Sequence, residues 1–132
     1  MTFQAALLVA LGGAAGALSR YGLSLWTTAL GARHSWAASL TTLPIATLLI
    51  NVSGSFALGL LVGLVGRGLW PAELRLALGV GFLGAFTTFS AFSVDLDTLM
   101  VRGEWGRAAL VLFGNVGLGI VAAAAGRMLA LR

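Results

Sequence analysis

The sequence predicts an all-α integral membrane protein with four transmembrane helices. Only 9% of its 132 residues are charged and its mean hydropathy is +1.01, whereas about 25% of the residues in soluble domains are charged. Four apolar stretches follow one another along the chain, each close to the roughly 20 residues that a membrane-spanning helix needs. None alternates polar and apolar positions over about 10 residues, as a membrane β-strand would. We therefore exclude a β-barrel.

The predicted helices occupy residues of about 3–26, 44–66, 74–100 and 105–131, in a single membrane domain that covers residues 1–132. The first stretch lacks the basic residues that precede the apolar part of a secretion signal, and Arg20 follows that part instead. We therefore interpret it as a membrane helix. The absence of cysteine excludes disulfides, thiolate chemistry and cysteine metal sites.

The charged residues predict an unusual orientation in the membrane. Eight arginines and four acidic residues give a formal net charge of +4, and the arginines are too scattered for a nucleic-acid surface. One side of the bilayer would hold Arg67, Arg75, Arg127 and Arg132, and the other Arg33, Arg102, Arg107 and, if it snorkels that way, Arg20. Cytoplasmic loops usually carry the excess of basic residues. A near balance therefore predicts insertion in both orientations and an antiparallel, dual-topology homodimer.

Small residues also favour close helix packing. The chain contains 19 glycines, and small residues allow the backbones of membrane helices to approach closely. Four short helices have little room to surround a polar path, so we expect these contacts to join two copies. The alternative is that the glycines only pack the four helices of one chain.

Two asparagines lie near the middle of predicted helices. In the second helix Asn51 is spaced by four residues from both Thr47 and Ser55, which places the three on one helix face. In the fourth helix Asn115 is likewise flanked by apolar residues. An unpartnered amide is costly in hydrocarbon. The amides either solvate a dehydrated anion, since an amide can donate hydrogen bonds, or join two helices.

The third helix contains the stretch "GVGFLGAFTTFSAFS", in which glycines are mixed with hydroxyl residues that compete for backbone hydrogen bonds. We predict an interruption in mid-membrane between about Gly84 and Ser90, whose freed carbonyls can bind a cation. Phe89 and Phe92 lie three residues apart on one face. The positive edges of their rings can hold an anion, although a phenylalanine stripe also serves simple packing.

Three motifs together resemble the CrcB/Fluc family of fluoride channels over nearly the whole chain. "GGAAGALSRY" resembles the GGxxGAxxR pattern of the family, "TLLINVSGS" contains its asparagine at Asn51, and "GAFTTFSAFS" resembles its GxxTTFSxFS signature. The resemblance implies a dual-topology homodimer with two fluoride pores in the inner (plasma) membrane of a bacterium. It further implies passive export of fluoride that protects the cell from fluoride toxicity, without enzymatic activity.

The resemblance also assigns site residues. It implies a fluoride pore formed by Asn51, Thr88, Phe89, Phe92, Asn115 and Arg20. Backbone carbonyls of Gly84 and Thr87 would hold a structural sodium ion at the dimer interface. Arg20 would lie at the end of the first helix near a vestibule and raise the local anion concentration, or else serve as a snorkelling anchor. Gly119 departs from the family, which often has a serine there, so either water or backbone would replace that hydroxyl or the fourth helix is offset in the alignment.

Two other functions compete with this interpretation. A small four-helix multidrug exporter would need a glutamate at the membrane centre, whereas the acidic residues of the third helix, Asp95 and Asp97, come late in that helix. A scaffold subunit without transport activity would use the asparagines and the interrupted helix only as structural elements.

Overall fold

The computed structural model describes residues 2–33 and 43–132, in which all regular structure is helical. The helices are α1 (Phe3–Arg33), α2 (Ile45–Gly66), α3 (Gly84–Phe86), α4 (Phe89–Val101), α5 (Trp105–Phe113) and α6 (Gly119–Ala130). Wider, π-helical turns occupy Arg75–Leu83, directly before α3, and Gly114–Leu118, between α5 and α6.

Four helical segments are long and apolar enough to cross a membrane. They are Phe3–Arg33, Ile45–Gly66, Arg75–Val101 and Trp105–Ala130. The structure therefore confirms the predicted all-helical fold with four long apolar helices.

The first helix is longer than its apolar stretch suggests. Residues 27–33 contain no proline, and the hydroxyls of Thr27 and Thr28 donate to the carbonyl of Ser24 one turn earlier, so α1 continues to Arg33. The expectation that Arg20 lies at the end of the first helix is wrong, because Arg20 lies near the middle of α1.

Glycines bring α1 against the segment Arg75–Leu83. A Cβ atom at Gly12 would overlap the carbonyl oxygen of Ala77, and one at Gly16 would overlap that of Phe82. The two backbones therefore touch without intervening side chains, as small residues allow in membrane helices.

A second glycine interface joins α2 to α6. A Cβ atom at Gly59 would overlap the carbonyl oxygen of Ala123, and one at Gly126 would overlap that of Phe56. These glycines, like those of α1, serve contacts within one chain. For these glycines the structure agrees with the alternative interpretation, in which glycines pack the four helices of one chain.

Thr87 and Thr88, called the extended pair below, separate α3 from α4. Thr87 has φ −76° and ψ 160°, and Thr88 has φ −150° and ψ 119°. The Thr88 Oγ1 atom accepts a hydrogen bond from the backbone N–H of Ala91 at 3.1 Å and so caps α4. Gly54 of α2 leaves space for this turn, since a Cβ atom there would overlap the Thr87 methyl group.

The buried face of α4 packs on α5. Phe92, Leu99, Ala108 and Val111 form this apolar cluster. The turn between the two helices passes through Gly103, whose φ of +73° is a left-handed conformation that glycine adopts without strain. This packing fixes α4 relative to the rest of the bundle.

Candidate functional site

The polar stripe of α2, formed by Thr47, Asn51 and Ser55, faces the extended pair and α4. At one end, the Thr47 hydroxyl donates to the Asp95 carboxylate at 2.7 Å. At the other end, Ser55 lines a cavity next to Thr88. Four-residue spacing on one helix therefore places three polar side chains along the same neighbouring segment.

The central member, Asn51, binds the backbone of the extended pair. The N–H of Thr88 donates to Asn51 Oδ1 at 2.9 Å, and Asn51 Nδ2 donates to the Thr88 carbonyl at 3.1 Å. In an uninterrupted helix this N–H would donate to the carbonyl of Gly84. Because Thr88 N–H can only donate, it fixes which amide atom of Asn51 is the oxygen. Asn51 thus replaces the helical acceptor of the Thr88 N–H and adds a second donor to the Thr88 carbonyl, which also accepts the first hydrogen bond of α4 because Thr88 is its N-cap.

Asn51 and Asn115 are in direct contact. The second Nδ2 hydrogen of Asn51 points to Asn115 Oδ1 at 2.9 Å, and Asn115 Nδ2 donates to the Val111 carbonyl at 3.1 Å. Both hydrogens of the Asn51 amide therefore point at protein acceptors. An anion that took a hydrogen bond from Asn51 would have to displace one of them.

A cavity of about 240 Å³, called the Thr88 cavity below, opens beside this network. Its lining residues come from α2, the extended pair and the start of α4: Asn51, Gly54, Ser55, Leu58, Thr87, Thr88 and Phe89. A second cavity of about 430 Å³, called the Arg127 cavity, shares Ser55 and Leu58 with the first and extends between α2 and α6 to Arg127. The two cavities follow the same face of α2.

The two phenylalanines have different surroundings. Their ring centroids lie 5.8 Å apart with an angle of 57° between the planes. Phe89 is 79% exposed and lines the Thr88 cavity, whereas Phe92 is 5% exposed and packs in the cluster between α4 and α5. Phe92 is absent from the lining of both cavities described above. A spacing of three residues brings the rings together without giving them the same exposure.

The carbonyls predicted to hold sodium belong to Gly84, the first residue of α3, and to Thr87, the residue directly after α3. Gly84 is exposed, and its carbonyl loses its usual helical donor because Thr88 N–H donates to Asn51. Carbonyl oxygens are suitable ligands for a hard cation at such a helix end. Within residues 2–33 and 43–132 no group of three or more His, Cys, Asp or Glu side chains could hold a metal ion.

The remaining predicted residues do not line the Thr88 cavity. Arg20, in the middle of α1, lines neither the Thr88 cavity nor the Arg127 cavity. Asn115 lines a third cavity of about 270 Å³ together with Pro44 and Leu118. Gly119 faces Ser55, whose Oγ lies 3.6 Å from the position that a Cβ atom on Gly119 would occupy.

Sequence reasoning missed three parts of this site. Gly54 and Leu58 line the Thr88 cavity without carrying any polar side chain that would single them out. The sequence identifies Arg127 only as a charge, because nothing in it indicates that α6 lies against α2 near Ser55. Ser55 is different, because the four-residue spacing from Asn51 predicts that it lies on the same face of α2 as the other polar residues of the stripe.

The match to a known family agrees with the sequence motifs. Residues 7–127 match the family described as "CrcB-like protein, Camphor Resistance (CrcB)". The chain belongs to the CrcB family. This confirms the family inferred from the three motifs.

Relatives of this CrcB-family chain match it along nearly its whole length. It is 50% identical over 132 residues to the fluoride-specific ion channel FluC of Deinococcus radiodurans, covering 100% of this chain and 99% of the relative. It is 46% identical over 118 residues to a FluC of Thermus thermophilus, covering 89% and 86%. With FluC 2 of Symbiobacterium thermophilum it shares 42% identity over 125 residues, covering 94% and 95%.

Proposed function

We propose that this chain forms a fluoride-selective channel that lets fluoride leave a bacterial cell passively, down its electrochemical gradient, and so limits fluoride toxicity. The observation that carries the proposal is the Thr88 cavity, which is open on one side and in which polar groups of Asn51, Thr88 and Ser55 meet the exposed ring of Phe89 between apolar helices. Polar groups in such surroundings usually mark an ion or substrate path. Relatives named as fluoride-specific ion channels supply the identity of the ion.

The chemistry around this cavity favours an anion. The cavity lies at the N-terminus of α4, where unpaired backbone N–H groups and the helix dipole carry partial positive charge. Phe89 can present the positive edge of its ring. A carboxylate would repel an anion, and the residues that line this cavity include none. Small size and strong hydrogen bonding would let fluoride exchange its water for these few donors.

The residue roles in this proposal follow the family resemblance. Phe89 and Phe92 are pore rings, and Asn115 continues the path beyond Asn51 and Thr88. Phe92 is buried against α5 of its own chain. For its ring to contact an ion, either α4 and α5 must separate at this point or the ring must rotate. Arg20 of α1 attracts anions to the entrance of the pore.

The assembly proposed is an antiparallel homodimer of two oppositely inserted copies, with two pores, in the inner membrane. The near balance of arginines supports it, as does the large apolar surface of α1, on which Leu11, Leu18 and Trp26 are all more than half exposed. Lipid or a second copy would cover this surface. A sodium ion bound by the carbonyls of Gly84 and Thr87 of both copies would supply positive charge that holds the two extended pairs together.

Fluoride efflux from liposomes tests the function. Liposomes loaded with potassium fluoride and potassium chloride receive the purified protein, valinomycin carries the balancing potassium, and electrodes follow both anions. We expect fast loss of fluoride and no loss of chloride above that of empty liposomes. If folded protein releases neither anion, it is a scaffold rather than a channel, and if both leave together the proposed selectivity is wrong.

Two further measurements test the assembly. Because the chain has no cysteine, Leu69→Cys in the exposed turn after α2 gives a single site for a membrane-impermeant maleimide. About half of the protein should react before the membrane is permeabilised, whereas labelling of all or none would contradict dual topology. Omitting sodium throughout purification should weaken the dimer, and adding it back should restore the dimer. A dimer equally stable without sodium would contradict the structural ion.

A further inference from the structure

Ser55 differs from its neighbours in how its hydroxyl is used. Thr47 donates to Asp95, and Ser53 on another face of α2 donates to the carbonyl of Leu49 at 2.6 Å. Across the part of the chain that the structure describes, residues 2–33 and 43–132, no hydrogen bond involves Ser55 Oγ. Helical serines often satisfy their hydroxyl on the carbonyl one turn earlier. The Ser55 hydroxyl is therefore available to a partner that enters the cavity.

The position of Ser55 joins the two cavities. It lines both the Thr88 cavity and the Arg127 cavity, one helical turn from Asn51. On the opposite side α6 presents Gly119, for which Ser55 Oγ is the nearest atom to a Cβ atom, at 3.6 Å. At this point, therefore, α6 supplies no side chain and α2 supplies the hydroxyl.

The outer end of the second cavity carries a positive charge. Arg127 is exposed and lines the Arg127 cavity together with Ser55 and Ile120. A cationic group at the mouth of a cleft with apolar walls raises the local concentration of anions. No acidic residue is among the residues that line this cavity.

We propose that the anion path continues from the Thr88 cavity past Ser55 into the Arg127 cavity. Ser55 Oγ donates a hydrogen bond to the passing fluoride at the junction, in the place left open by Gly119, and Arg127 attracts or releases the anion at the outer mouth. This inference rests on the proposed fluoride channel and adds two residues to its path.

Exchanging the hydroxyl between the two helices tests the role of Ser55. Fluoride efflux is measured for Ser55→Ala and for two double variants that add Gly119→Ser or Gly119→Ala. A Cβ atom at Gly119 meets only ordinary contact distances, so both double variants fit sterically. Ser53→Ala is the control, because it removes a hydroxyl from the same helix outside the cavities.

We expect Ser55→Ala to slow fluoride efflux by about tenfold or more, since a hydrogen bond to a charged group is lost. Gly119→Ser should restore most of the rate in that background and Gly119→Ala should not, whereas Ser53→Ala should behave as the original protein. An unchanged rate for Ser55→Ala would overturn the inference, as would equal rates for the two double variants. Absence of fluoride efflux from the original protein would instead contradict the channel itself.

The role of Arg127 is tested by its dependence on salt. Arg127→Gln should slow efflux at low ionic strength and have less effect at about 0.5 M of an impermeant salt, where charges are screened within a few ångströms. Arg132→Gln is the matched control, since it removes a charge near the same end of α6 without lining the cavity. Equal effects of the two substitutions would show that only net charge matters, and would remove Arg127 from the path.

Discussion

Replacing Asn51 by alanine should destabilise the protein by removing the partners of a buried peptide group. The substitution leaves two groups without the hydrogen bonds described above: the N–H of Thr88 and Oδ1 of Asn115. The Thr88 carbonyl also loses its bond from Asn51, but Thr88 is the N-cap of α4, so this carbonyl still accepts the first hydrogen bond of that helix. Thr88 and Asn115 are each only 8% exposed. A buried polar group left unsatisfied costs about 1–3 kcal/mol, so complete loss at both groups would cost about 2–6 kcal/mol.

Water reduces this cost. The neighbouring Thr88 cavity of about 240 Å³ has room for several molecules, because each needs roughly 30 Å³. These molecules can replace the lost partners at the Thr88 peptide. We therefore expect the free energy of unfolding to fall by about 2 kcal/mol, the lower end of the range.

The assay is denaturant unfolding of the purified protein in detergent micelles at a fixed protein concentration, followed by tryptophan fluorescence. Ser53→Ala is the control, because its hydroxyl bonds only within α2 and surface changes of this kind stay within about 0.5 kcal/mol. If Asn51→Ala unfolds within that margin of the original protein, Asn51 does not hold the extended pair in place. Its amide would then be free to serve the ion alone.

Two matched pairs of substitutions and one single substitution separate packing from polar roles. Gly16→Leu should prevent α1 from packing or cost at least about 2 kcal/mol, whereas Gly22→Leu, with open space around its Cβ position in the described chain, should leave the unfolding midpoint unchanged. Phe92→Ala should cost about 3–5 kcal/mol because its ring is buried, and Phe89→Ala should slow fluoride efflux while changing stability little; the opposite ranking in stability would contradict the assigned burial. Thr47→Val removes a 2.7 Å hydrogen bond to a carboxylate and should cost about 1.5–3 kcal/mol in the same unfolding assay; no change would show that water replaces the hydroxyl.

The helices could be predicted because hydropathy alone indicates which stretches fit a membrane. Helix lengths were harder, since α1 continues to Arg33 beyond its most apolar part. The π-helical turns at Arg75–Leu83 and Gly114–Leu118 have no composition that marks them. Such turns depend on the packing of neighbouring helices against the backbone, and this packing cannot be predicted from a single sequence.

The site was only partly predictable for the same reason. The spacing of Thr47, Asn51 and Ser55 placed them on one face, but the bond from Asn51 to the Thr88 backbone depends on where α2 crosses the extended pair. Likewise, the spacing of Phe89 and Phe92 placed the rings together, but only the packing of α5 decides which one is buried. The assigned roles of these residues in ion passage stay predictions.

The glycine interfaces also determine the order in which the bundle can assemble. Close backbone contact joins α1 to the segment Arg75–Leu83 and α2 to α6, so consecutive helices do not form the tightest pairs. A ribosome that has produced only the first two helices has made neither interface. The contact between α2 and α6 is complete only after Gly126 has entered the bilayer. Until then α1 and α2 lie in lipid, and the backbone surfaces around their glycines have no protein partner. During synthesis, a helix of another protein or an insertion factor would compete with the native partner for these glycine surfaces of α1 and α2.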